Sequence, residues 1–135
     1  MLNVLITGAN RGIGLAITEL ALKRGDKVVA TCRHPSSAKE LIALREGYLD
    51  RCEIVSLDVV NEDSLHDAAL KIKDHLDLLV CNAGVLNGYG GMMSAENTMD
   101  AFRDVLMTNI ASPFFTTRYF LSLIHISEPT RLEPI

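Results

Sequence analysis

Residues 2–14 read Leu-Asn-Val-Leu-Ile-Thr-Gly-Ala-Asn-Arg-Gly-Ile-Gly. The first six are an apolar run of strand length that stops at a glycine cluster, which is the shape of a buried strand. From Gly12 to Arg24 the period becomes helical. Ile13, Ile17, Leu20 and Ala21 read as one apolar face, Lys23 and Arg24 suit the negative end of a helix, and Gly25 suits a left-handed cap. A glycine loop between a strand and a helix is where backbone N–H groups at a helix N-terminus hold a pyrophosphate. Gly8 would allow the tight turn, Gly12 the close approach of backbone to phosphate, and Gly14 the close packing of the helix.

Outward from that loop, strand and helix patterns alternate. Residues 27–32 (KVVATC) form a second β-rich run. Pro35, Ser36 and Ser37 open a helix with Ala38, Leu41 and Ile42 on one face. Residues 53–57 (EIVSL) read as a third strand. Asn61 is a candidate N-cap for a helix carrying Leu65, Ala68, Ala69, Ile72 and Leu76, and residues 78–81 (LLVC) read as a fourth strand. A glycine-rich stretch over 84–91 precedes a long helical pattern over 97–120. Strands apolar on both faces, each followed by an amphipathic helix, imply a parallel sheet covered on both sides. Right-handed crossovers make it an α/β, Rossmann-like doubly wound sheet of strand order 3-2-1-4, the N-terminal part of such a fold, with strand four as an exposed edge.

Composition narrows the function. With 135 residues, 48% of them hydrophobic and 22% charged, the chain suits one globular domain. The net charge of −4 and the lack of a Lys/Arg run argue against nucleic acid. No apolar run approaches membrane-span length, and no basic, apolar leader opens the chain. Cys32, Cys52 and Cys81 include no CxxC pair, so they read as reduced thiols of a cytoplasmic protein, with no metal site expected.

TGANRGIG at 7–14, LDV at 57–59, CNAG at 81–84 and Asn109 in the long helix, in that order, resemble the short-chain dehydrogenases/reductases. GDKVVATCRHP at 25–35 looks most like their carbonyl-reductase-like branch, which includes C-factor and sniffer-type proteins. The resemblance implies that Thr7, Gly8, Asn10, Arg11, Gly12, Ile13 and Gly14 line a dinucleotide's phosphates and adenosine. It places Asp58 and Val59 at the adenine, and Asn82, Ala83 and Gly84 at a ribose. The family often has Asn where this chain has Cys81. At the end of strand two an NAD site carries a carboxylate for the ribose 2′-OH. Thr31-Cys32-Arg33 has none, and a guanidinium suits a 2′-phosphate, so Arg33 and Arg11 favour NADP(H) over NAD(H). The implied function is hydride transfer between NADPH and a small carbonyl or alcohol substrate, by a parent that the family's habits would make a homo-oligomer. The alternative is a non-catalytic NAD(P)-binding or sensor protein on the same fold.

The family's chemistry uses a Ser, a Tyr-x-x-x-Lys pair and an Asn. Four residues after the three tyrosines come Cys52, Met93 and Leu123, and the last lysine is Lys73. Of that group only Asn109 is present, so these 135 residues are not expected to turn over substrate. Residues 121–131 (LSLIHISEPTR) are similar to the translation of a common transposase sequencing adaptor. The expected organisation is therefore an incomplete dinucleotide-binding domain over 1–120 and a non-native tail over 121–135, in which His125, Ser127 and Glu128 form no catalytic group.

Overall fold

The structure is a computed structural model and describes residues 1–88 and 90–124. Strands β1 (Asn3–Ile6), β2 (Lys27–Cys32), β3 (Cys52–Ser56) and β4 (Leu78–Val80) form one parallel sheet in the order β3-β2-β1-β4. The expected strand order is therefore the observed one. Helices α1 (Gly12–Arg24), α2 (Lys39–Glu46), α3 (Glu62–Lys71), α4 (Met99–Leu106) and α5 (Ser112–Phe120) complete the layers.

Side chains alternate across the sheet and feed two cores. Val4, Ile6, Val28, Ala30 and Cys32 meet Ala21 and Leu22 of α1 and Leu41 of α2 on one face. Leu5, Val29 and Val55 meet Leu65 and Ala68 of α3 and the fully buried Phe120 of α5 on the other.

The face α1 buries shares Ala21 and, in part, Ile17 with the expected one, but it turns away from Ile13 and Leu20. Ile13 and Leu20 are 73% and 67% exposed, whereas Gly14, Thr18, Ala21 and Leu22 are buried. The helix lies so close to the glycine loop that small side chains win the contact over larger apolar ones. Thr18 pays for its burial by donating its hydroxyl to the Gly14 carbonyl at 2.8 Å. Asn61 caps α3 as expected, its Oδ1 accepting from the Ser64 N–H at 3.0 Å. That helix stops at Lys71, however. Ile72 and Leu76 reach the core from the extended connection to β4, so their helical spacing was fortuitous.

The long helical pattern over 97–120 resolves into α4, a π-helical turn over Met107–Ala111, and α5. Pro113 has no N–H to give to the carbonyl of Asn109, and the Ser112 N–H reaches five residues back to Met107. Past α5, Leu121–Leu123 continue as a 3₁₀ turn. The Leu123 carbonyl accepts from the Leu76 N–H, and Ile124 bridges Leu76 in parallel. Leu123 and Ile124 also pack against the second core, so two residues of the stretch expected as a non-native tail lie on the fold, while Leu121 and Ser122 are exposed. The rest of that stretch, 125–135, lies outside the described residues. On the side away from β1, β4 pairs with no strand among the described residues.

Asp26, 3% exposed, ties the chain start to the sheet. It accepts from the Leu2 N–H at 2.9 Å and from Arg24 at 2.6 Å. The Leu2 N–H holds its carboxyl below the ordinary carboxylate range, burial opposes that, and Arg24 adds to it. Stability from these contacts is present above the unfolded carboxylate value of about 3.9 and is lost as pH falls through the lower folded value. The urea-midpoint gap between wild type and Asp26→Asn should be open near neutral pH and close in acid as the pH falls through the lowered folded value. A gap independent of pH would contradict the assignment.

Candidate dinucleotide cleft

Register brings the site together. Ile6 pairs with Ala30 and with Val80, and Thr31 pairs with Val55, so the C-terminal ends of the four strands open at one edge. The order reverses at β1, which places a crevice between the loops leaving β1 and β4, the topological switch point where doubly wound sheets bind ligands. A cleft of about 550 Å³ occupies it.

Of the expected binding residues, Gly8, Asn10, Arg11, Gly12, Ile13, Arg33, Asp58, Val59, Asn82, Ala83 and Gly84 line this cleft. Thr7 and Gly14 do not; they stand behind its wall. Thr7 is buried, and its Oγ1 accepts from the N–H groups of Asn82 and Ala83 at 3.0 and 3.1 Å. The Asn82 amide answers by donating to the carbonyls of Thr7 and Gly8, both at 3.1 Å. These bonds lash the end of β4 to the glycine loop. Ala9 is tied to β2 through its N–H and the Thr31 carbonyl.

Two glycines of the loop have left-handed backbones, Gly8 at φ 65° and Gly12 at φ 55°. A Cβ on Gly8 would stand 2.9 Å from the Ala83 Cα, whereas one on Gly12 would meet nothing within 4 Å. Gly12 therefore faces open cleft. Gly14 is held by space: its Cβ would stand 2.1 Å from the Gly8 carbonyl oxygen and 2.5 Å from Asn82 Nδ2.

The electrostatics suit an anion. Arg11, the N-cap of α1, is extended and makes no side-chain cap, and no acid stands in the first turn, so the first N–H groups of the helix keep their donors for a ligand. Neither Arg11 nor Arg33 has an ion-pair partner among the described residues. Asp58 is the one carboxylate on the described lining, and its Oδ1 accepts from the Val60 N–H at 3.2 Å. An open Gly12, an uncapped helix start and two unpaired guanidiniums fit a dinucleotide's phosphates.

Asn109, expected in the catalytic group, sits in the π turn and binds Val85 twice. Its Oδ1 accepts from the Val85 N–H and its Nδ2 donates to the Val85 carbonyl, both at 2.8 Å. Both ends of the amide are thus occupied in bracing the wall, and the neighbouring Thr108 is the one that lines the cleft. Thr108, His34 and Ser37 are lining residues that sequence reasoning missed. The run after Arg33 was a signal for His34 and Ser37, whereas nothing local marks Thr108. Cys32 is also among the residues lining the cleft; its side chain is buried, and burial pushes its pKa up, which makes it a packing group and a weak nucleophile.

Among the described residues no cluster of His, Cys, Asp or Glu could hold a metal ion, and no helix is long and apolar enough to cross a membrane. The family model for short chain dehydrogenases matches residues 2–129. An NADPH-bound carbonyl reductase from chicken fatty liver superposes with a TM-score of 0.82 at 32% identity, covering 91% of this chain and 51% of that one. A carbonyl reductase from Pseudomonas aeruginosa gives 0.82 at 31%, covering 92% and 57%. The 3-oxoacyl-(acyl-carrier-protein) reductase of Vibrio cholerae is 36% identical over 114 residues, 82% of this chain and 44% of that protein. The chain spans about half the length of the curated relatives it matches.

Proposed function

The chain belongs to the short-chain dehydrogenase family, and on that premise we propose that it is the dinucleotide-binding part of an NADP(H)-dependent oxidoreductase acting on a small carbonyl or alcohol. The observation that carries the cofactor preference is the end of β2. Arg33 borders the cleft there without a carboxylate beside it, and Arg11 borders the same cleft from the glycine loop. A 2′-phosphate would find guanidinium donors, and a bare 2′-OH would find no acceptor of the kind an NAD site supplies. The NADPH-bound carbonyl reductase among the neighbours supports the same reading.

The nicotinamide ring, when bound, supplies the hydride. This chain's own residues do the holding. The N–H groups at the start of α1 and the open face of Gly12 receive the pyrophosphate. Asp58 and Val59 flank the adenine side, and Asn82 to Gly84 form the wall on the β4 side. Asn109 keeps that wall in place through Val85. The proton donor at the carbonyl oxygen and the substrate wall are assigned to the Ser and Tyr-x-x-x-Lys segment that these 135 residues lack. The domain division proposed is a binding unit over 1–120 and a tail over 121–135. A foreign origin for the tail is supported by the likeness of 121–131 to a translated adaptor alone, since Leu123 and Ile124 pack on the fold and the family match runs to 129. The proposed setting is the cytoplasm, and the parent is proposed to be a homo-oligomer.

Protein-observed NMR titrations with NADPH and NADH test the cofactor assignment. NADPH should bind more tightly, and Arg33→Ala should weaken NADPH about three- to tenfold while leaving NADH nearly unchanged, the size of a charge-assisted contact at a partly exposed site. Tighter binding of NADH by the wild type would overturn the assignment. A sensor protein on the same fold would bind the same nucleotide, so only turnover by a form carrying the missing motif separates that reading.

A further inference from the structure

The π turn joins two helices that are held unequally. Ser112, Thr116 and Phe120 are buried along α5, and Phe120 shares a core with Leu65 and Ala68 of α3, whereas no residue of α4 is buried. Within the turn the Ser112 N–H passes over the Thr108 carbonyl and reaches Met107. Pro113, five residues beyond Thr108, has no N–H to give. The Ser112 side chain fills that gap. Ser112 is 4% exposed, and its hydroxyl donates to the Thr108 carbonyl at 2.5 Å. One residue thus serves two successive carbonyls, Met107 with its N–H and Thr108 with its Oγ. Thr108 lines the cleft, and Asn109 beside it holds Val85 through both ends of its amide. A Cβ on Gly84 would stand 3.3 Å from Asn109 Oδ1, so that amide lies close against the wall.

We propose that Ser112 is a positioning residue of the cleft: its buried hydroxyl holds the helix in the π register that aims Asn109 at Val85 and sets Thr108 on the cleft wall. The inference deepens the dinucleotide reading and rests on it for its effect on the ligand. Two registers compete here. An α register would return the Ser112 N–H to the Thr108 carbonyl, four residues back, and would set the Pro113 ring against the Asn109 carbonyl. The π register avoids that clash, and its weak point is the Thr108 carbonyl. A carbonyl shielded from water and left without a donor costs more than an ordinary hydrogen bond contributes. The Ser112 hydroxyl removes that cost, so it decides which register is held. A π turn carries one residue more than the α-helix, and losing it rotates one side against the other by about 100°. Core side chains fix α5, so the rotation falls on Asn109, Thr108 and α4, none of which is buried.

The test follows the full 135-residue chain by NMR, with and without NADPH, for wild type, Ser112→Ala and Ser112→Thr. In Ser112→Ala the Val85 amide should exchange faster and NADPH should bind more weakly, each by about three- to tenfold, the scale of one hydrogen bond. The Asn109 side-chain amide should move to the position of a free amide in water. Ser112→Thr keeps a hydroxyl on the same carbon and should keep both signals and most of the affinity. Should Ser112→Ala not fold, Ser112→Cys, of similar size and with a weak donor, takes its place. Wild-type Val85 and Asn109 signals in the variant without the hydroxyl overturn the proposal, and so do equal losses in the alanine and threonine variants. Moved signals with unchanged NADPH affinity also overturn it, because the register would then not serve the cleft. A wild type that binds neither NADPH nor NADH overturns the dinucleotide reading and the role at the cleft with it. In that case the Val85 and Asn109 signals still decide whether Ser112 holds the register.

Discussion

NADPH mixed with the 135-residue chain and a panel of aldehydes and ketones should stay reduced. The binding elements are in place: the glycine loop, Arg33, Asp58 and the β4 wall meet at one cleft. The chemical elements are not. Hydride arriving at a carbonyl carbon leaves charge on the oxygen, and a positioned acid is what discharges it, typically a gain of about 10²–10⁴-fold. No Tyr-x-x-x-Lys exists in the chain. Tyr119, the tyrosine of α5, donates its hydroxyl to Glu62 at 2.7 Å, and that bond to the carboxylate is the first cause pushing its pKa up, the wrong direction for an acid working near neutrality. Asn109 is committed to Val85. Groups that act together are lost together, so the deficit should not be recovered by raising the cofactor concentration. The measurement is loss of NADPH absorbance, with the carbonyl reductase of Pseudomonas aeruginosa run alongside. Turnover comparable to that enzyme would place a catalytic acid among residues described above as structural.

Gly14→Ala should damage both folding and nucleotide binding, and more severely than either neighbouring glycine position suggests from conformation alone. The added carbon would stand 2.1 Å from the Gly8 oxygen and 2.5 Å from Asn82 Nδ2. Neither neighbour can retreat cheaply. Gly8 is packed against Ala83, whose Cα would stand 2.9 Å from any Cβ placed on Gly8, and the Asn82 amide is holding the carbonyls of Thr7 and Gly8. Overpacking of this kind costs about 1–3 kcal/mol or more, and displacement of the loop should cut NADPH affinity about tenfold or beyond, equivalent to ~1.4 kcal/mol. Gly47→Ala is the control. Gly47 has a right-handed backbone and only ordinary contact, 3.6 Å to the Leu44 oxygen, so its replacement should be neutral or stabilising by a few tenths of a kcal/mol. Urea midpoints and NADPH titrations of the two variants give the comparison. Wild-type behaviour of Gly14→Ala would show that the loop is not packed as described.

The two variants also mark how far the sequence could be read. That Gly14 permits close packing was legible from the strand–glycine–helix pattern; that its contact is the Gly8 carbonyl and the Asn82 amide was not. Asn82 is 74 residues from Gly8 in the chain, and local pattern contains no distance of that kind. Asn109 shows the same gap. Its type and place in a helix could be seen, but its two hydrogen bonds to Val85 depend on a π turn that starts from a missing N–H at Pro113 and ends in a tertiary contact.

The order of elements, the parallel sheet and its 3-2-1-4 arrangement, the cap at Asn61 and the glycine loop were determined by the sequence alone. Each follows from a short-range cause: apolar period, side-chain capping, backbone freedom at glycine, or the handedness of a crossover. Tertiary structure decided which face of α1 is buried, because the space left beside the loop admits Gly14 and Thr18 and leaves Ile13 and Leu20 outside. It also separated the residues that line the cleft from Thr7 and Gly14, which support it. Periodicity reports how apolar a face is, and it carries no measure of how much room the opposing surface leaves.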